Sequence, residues 1–128
     1  LLAVVASLEN AKRVHLVGTG DAGIWALLAS TLTENAVDKL IVNLDGFSFA
    51  ELKTTSDPNF IPGALRYGDV GGLGLLASPQ TIHVGGLKPD SQNAEKLKLS
   101  AAGRAGQLQI MPQNFSRKEI VDQILKVK

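Results

Sequence analysis

Short apolar, β-branched runs alternate along this chain with stretches whose apolar residues recur at helical spacing, and Gly- or Pro-rich breaks separate them. Arg13-Val14-His15-Leu16-Val17 reads as a strand, followed by the Gly-rich turn Gly18-Thr19-Gly20-Asp21-Ala22-Gly23. Residues 24–32 then read as a helix with apolar side chains on nearly every face, so it is expected to be well buried. Residues 39–44 form the next strand, ending at Asp45-Gly46. Strand, helix, strand at this spacing is a βαβ unit, with parallel strands and a right-handed crossover.

The segment 47–79 is less regular. Asp57-Pro58 and Ile61-Pro62-Gly63 are turn signals, and a short helix is expected over residues 70–77. Gln80-Thr81-Ile82-His83-Val84 reads as a third strand, closed by Gly85-Gly86. Ser91 or Asp90 can cap a helix running to about Ala102, and residues 107–111 form a fourth strand. Ser116 caps a final helix, with Glu119 completing a capping box and Ile120, Val121, Ile124 and Leu125 making one apolar face. The pattern predicts an α/β fold: one domain over residues 1–128, with an open parallel sheet of about four strands and helices on both faces.

Composition narrows the function classes. A chain of 128 residues is enough for one domain with a core. Apolar residues make up 45% and charged residues 20%, which argues against overall disorder. Thirteen basic and twelve acidic residues leave a net charge of +1, so no long-range field draws the chain to nucleic acid or an anionic membrane. There is no cysteine, which excludes disulfides, thiol catalysis and cysteine-bound metal. No apolar run reaches the ~18 residues of a membrane span. The chain opens with Leu1-Leu2-Ala3-Val4-Val5-Ala6-Ser7-Leu8-Glu9, which reads as the end of an amphipathic helix without its cap. The chain is therefore expected to be a piece of something longer.

The turn of residues 18–23 supports three readings. Gly18, Gly20 and Gly23 match G-x-G-x-x-G between a strand and a helix, the context of a dinucleotide fingerprint, with Asp45 placed to hold the ribose of NAD. The same turn fits a nucleophile elbow, G-x-S-x-G, with small residues at Gly18 and Ala22 and Gly20 where serine would stand. A neighbouring register puts Asp21 there instead. A plain tight turn, with glycines that let a helix pack on a strand, is the third reading.

Leu16-Val17-Gly18-Thr19-Gly20-Asp21-Ala22-Gly23 with Trp25-Ala26-Leu27-Leu28 resembles the elbow and following helix of esterase-like α/β-hydrolases. Phe60-Ile61-Pro62-Gly63-Ala64-Leu65-Arg66-Tyr67-Gly68-Asp69-Val70 resembles a segment of acetyl xylan esterase and dienelactone hydrolase relatives. Leu75-Leu76-Ala77-Ser78-Pro79 stands where those relatives have an Ala-Pro-Arg-Pro strand entry, without its Arg. The resemblance runs from the elbow strand to the last helix and implies the C-terminal half of such a fold. It implies a carboxylate after one of the middle strands, at Asp90 or Asp45, and a histidine about where Asn114 stands.

On that reading the catalytic set is degenerate. Gly20 offers no nucleophile, and the amide of Asn114 cannot shuttle protons near neutral pH. Asp21 could serve as a nucleophile only with a histidine to activate water; otherwise it caps the helix. The two histidines, His15 and His83, fall inside strands, away from the strand ends where ligands collect, and form no metal site. The reading that results is a non-catalytic esterase-like homologue with no cofactor. The alternatives are an NAD-binding domain and an active ester hydrolase completed by a missing N-terminal half. In the family the elbow strand lies beside strands of that half. Its exposed edge here is expected to pair with the missing half or with a second copy.

Overall fold

The computed structural model describes residues 10–34, 36–74, 76–77, 81–100 and 107–126. The expected helix end over residues 1–9, Gln80 and the stretch through Ala102 lie outside them. Strands β1 (His15–Gly18), β2 (Lys39–Asn43), β3 (Thr81–Gly85) and β4 (Leu108–Met111) alternate with helices α1 (Ala22–Ser30), α2 (Asp69–Gly74), α3 (Gln92–Ser100) and α4 (Arg117–Leu125). A short 3-10 turn covers Phe49–Glu51. The four strands form one sheet in the order β1-β2-β3-β4, and every pairing is parallel. This is an α/β fold with an open parallel sheet, as the alternation predicts.

Adding parallel strands in chain order through right-handed crossovers puts each connecting helix on the same face. The core agrees. Leu16, Leu40, Val42, Ile82 and Val84 on that face pack with Ile24 and Leu27 of α1, Val70 of α2, and Ala94 and Leu97 of α3. Leu27 and Leu40 are completely buried, and each contributes roughly 1.5–3 kcal/mol of transfer free energy. Helix α4 follows the last strand and covers the other face, where Ile120 meets Ile41 and Phe115. Its start is the expected capping box: Ser116 accepts from the Glu119 N–H, and the Glu119 carboxylate accepts from the Ser116 N–H. Such a cap is worth about 1 kcal/mol. At its other end the Lys39 ammonium donates to the carbonyls of Gln123 and Lys126, satisfying groups that a helix end leaves open.

Three expectations change. Helix α1 is not covered on every face, because Trp25 is 45% exposed and Leu28 only half-buried. With β1 at the sheet edge, no described element lies beyond that side of the helix. The apolar face of α4 is likewise divided: Ile120 is buried, but Val121 and Leu125 are exposed, because one helix lies over the strands at a single line of contact. Helix α2 ends at Gly74, short of Ala77. Of the two candidate caps for α3, Ser91 takes the position: its Oγ accepts from the Ala94 N–H, while Asp90 is exposed.

Candidate functional site

The C-terminal ends of β1 and β2 open into a cleft of about 270 Å³. The turn after β1 forms one wall. Its backbone tightens through Ala22 N–H to Thr19 O and Gly23 N–H to Gly20 O. Gly20 has φ +58°, and a Cβ there would meet nothing within 4 Å. This is the left-handed region that glycine enters without cost. Gly18 and Gly23 serve packing instead. A Cβ on Gly23 would lie 2.0 Å from the Asn43 carbonyl oxygen, and one on Gly18 would lie 2.7 Å from the Ala26 Cβ. These two glycines let α1 lie directly on β1 and β2. Asp21 stands at the N-cap of α1, but its side chain makes no capping bond. The expected N-cap position is therefore occupied without a side-chain bond: with φ −60° and ψ −26° the residue is already helical, whereas a side-chain cap uses the extended ψ seen at Ser116.

The turn after β2 forms the opposite wall. Asp45 and Gly46 both have positive φ, 51° and 73°, and Phe47 N–H closes on Leu44 O at 2.8 Å. Two consecutive left-handed residues inside that bond make a type I′ turn. Beyond the strands the ladder continues through Leu44 N–H to Gly85 O and Gly46 N–H to Gly86 O.

Two asparagines then reach across β3. The Asn43 amide donates to Phe115 O at 2.9 Å and accepts from Phe115 N–H at 2.7 Å. The Asn114 amide donates to Asp45 Oδ1 at 3.1 Å and accepts from Asp45 N–H at 3.2 Å. Gly85 and Gly86 make both crossings possible. A Cβ on Gly85 would sit 2.6 Å from Asn43 Oδ1, and one on Gly86 would sit 2.2 Å from Asn114 Oδ1. The loop after β4 is thereby fastened to the end of β2, and Asn114 is fastened to Asp45.

Of the residues singled out in the sequence, Gly20, Asp21 and Asp45 line this one cleft. Asn114 joins them through Asp45. Asp90 does not line it. His15 opens β1 at the opposite end of the sheet, and His83 sits mid-strand beneath α4.

Sequence reasoning missed the floor of the site. Ser48, Glu51 and Asn59 also line the cleft. Ser48 caps the 3-10 turn, accepting from Ala50 N–H, and donates to Asp69 Oδ2. Asp69 also accepts from Phe49 N–H at 2.8 Å and from Val70 N–H at 2.7 Å. Burial pushes its carboxyl pKa up, but the bonds from Ser48, Phe49, Val70 and Asn93 outweigh that and hold it below the usual value. Asp69 has φ +61°, a strained conformation for a residue with a Cβ. It lines a second cleft of about 470 Å³ that shares Gly46, Phe47, Ser48 and Glu51 with the first and is lined further by Lys88 and Lys96. The tie between Ser48 and Asp69 spans 21 residues and leaves no local pattern.

The first cleft presents three carboxylates, Asp21, Asp45 and Glu51, and no basic side chain among the described residues that line it. Ser48, the hydroxyl in its wall, is bonded to a carboxylate rather than an imidazole. The geometry defines an α/β domain with an acidic cleft at the C-terminal edge of a parallel sheet, the edge where open α/β sheets bind ligands. No family model, curated protein or solved structure matches the chain.

Proposed function

We propose that the chain is a non-catalytic homologue of the esterase-like α/β-hydrolases, acting as a binding or structural module. The observation that carries this reading is the Asp45–Asn114 pair beside Gly20. In a working hydrolase of this kind a carboxylate orients a histidine toward a nucleophile at the elbow. Here the carboxylate bonds an amide, and the elbow position carries no side chain. The amide keeps the two turns joined but moves no proton. Losing both serine and histidine leaves at most roughly 10³–10⁴-fold rate enhancement from binding alone.

The position of β1 at the sheet edge supports the same reading, because the family places further strands there. On this reading the partner along β1 is an N-terminal half of such a fold, or a second copy. No described helix is long and apolar enough to cross a membrane.

The dinucleotide reading draws support from Gly20 and Asp45 sharing one cleft. Three carboxylates and no cation among the described residues lining the cleft weigh against it, since a pyrophosphate needs positive potential. Two assays test the proposal. Turnover of p-nitrophenyl acetate is expected to equal that of a Gly20→Ala control. NAD is expected to leave Trp25 fluorescence unchanged. Ester turnover above the control favours a hydrolase completed elsewhere. Saturable quenching that Asp45→Ala abolishes establishes the dinucleotide site instead.

A further inference from the structure

Beneath α4 the sheet buries an imidazole that is only partly satisfied. His83 is 8% exposed, and its Nδ1 has no hydrogen-bond partner. Phe115 covers it, with 6.2 Å between ring centroids, and the Gln109 side chain of β4 bonds it. The charged groups acting on it among the described residues are both cations, Lys39 on β2 and Lys126 after α4. His15 stands on the same sheet face beside Lys39, and Glu119 and Asp122 of α4 are exposed.

The parts that cover this ring are the parts that hold the cleft together. Lys39 binds the C-terminal carbonyls of α4. Phe115 is clamped by Asn43, and its neighbour Asn114 is bonded to Asp45. We propose that mild acid opens the cleft: a proton on His83 lifts α4 and residues 112–116 from the sheet and parts Asn114 from Asp45. An imidazolium needs acceptors at both nitrogens. Nδ1 has none, and the new charge would face two existing cations in a space closed by Phe115. Lifting α4 gives the ring water and removes Lys126.

Burial first, then Lys39, hold the ring's proton affinity below its ordinary 6.5, against the bond to Gln109. The lifted state protonates near that ordinary value. The opening constant therefore rises up to about tenfold for each pH unit below 6.5, until the closed state also protonates. This holds whatever the cleft binds, so its failure leaves the functional reading untouched.

The test is amide hydrogen exchange on the 128-residue chain from about pH 8 to about pH 5, corrected for intrinsic rates, beside an NMR titration of the His83 ring. Protection in α4 and residues 112–116 should fall below pH 6.5 by up to about tenfold per unit, while β1, α1 and β2 keep theirs. His83→Gln and His83→Leu should abolish the dependence. Protection in α4 that ignores pH, loss that spreads equally through the sheet, or a wild-type response in either variant overturns the proposal. If neither variant folds, the wild-type ring decides, and a midpoint at or above 6.5 overturns it.

Discussion

Replacing Asn43 with alanine tests the idea that the loop after β4 is held by a side chain reaching over β3. The Asn43 amide makes two bonds to the backbone of Phe115, at 2.9 and 2.7 Å, and it is 6% exposed. Each bond contributes about 1 kcal/mol net, and an orphaned buried N–H or C=O costs about 1–3 kcal/mol. Water entering over Gly85 recovers part of that, so the expected loss is about 2–4 kcal/mol. With a urea m-value of about 2 kcal/mol per molar, the midpoint should fall by about 1–2 M with m unchanged. The second half of the test is a cycle with Gly85→Ala. A Cβ at Gly85 meets Asn43 Oδ1 at 2.6 Å and Phe115 N at 2.9 Å. Removing Asn43 relieves the first clash, so Gly85→Ala should cost less in the Asn43→Ala background, with a coupling of at least about 0.5 kcal/mol. A single variant within about 0.5 kcal/mol of wild type, or strict additivity in the cycle, would refute the argument.

Three further outcomes follow from the same geometry. Gly20→Ala forces a left-handed backbone into open space and should cost about 1–2 kcal/mol, whereas Gly23→Ala drives a Cβ into the Asn43 carbonyl and should reach or exceed the ~3 kcal/mol top of the usual overpacking range; chemical denaturation of both variants checks the order. Asp69 has a folded-state pKa below its ordinary 3.8, so its contribution to stability is complete above 3.8 and is lost as pH falls through the lower folded value. Asp69→Asn keeps a residue type that tolerates positive φ and should flatten the acid limb of the stability curve below pH 3.8, read by urea midpoints at successive pH values. Val17 is 37% exposed on edge strand β1, so Val17→Lys should weaken self-association through that edge; equal sedimentation behaviour of the two proteins would count against the edge as the contact.

Much of this molecule was legible before its structure. Among the described residues, hydrophobic periodicity and turn residues located the four strands and four helices to within a few residues, because each signal is local. Ser116 and Glu119 announced their capping box three residues apart. The Gly-rich turn announced a tight strand-to-helix passage. The pairing of Asp45 with Asn114 was not legible, since 69 residues separate them and the sequence offered Asp90 ahead of Asp45 as the candidate carboxylate. The exposure of Trp25 was missed for a related reason: an all-round apolar helix looks buried in sequence, and only the strand order puts it at the side of the sheet.

The sequence alone determined the alternation of elements, the parallel sheet, and that Gly20 and Asn114 carry neither a nucleophile nor a titratable group, because propensity, turn geometry and the identity of a side chain are properties of short segments. Tertiary structure decided which carboxylate meets the asparagine, that Gly85 and Gly86 clear the way for it, and that Asp69 anchors the floor of the cleft. Those facts depend on which strands lie side by side and how closely their ends approach, and such distances exist only once the sheet has formed.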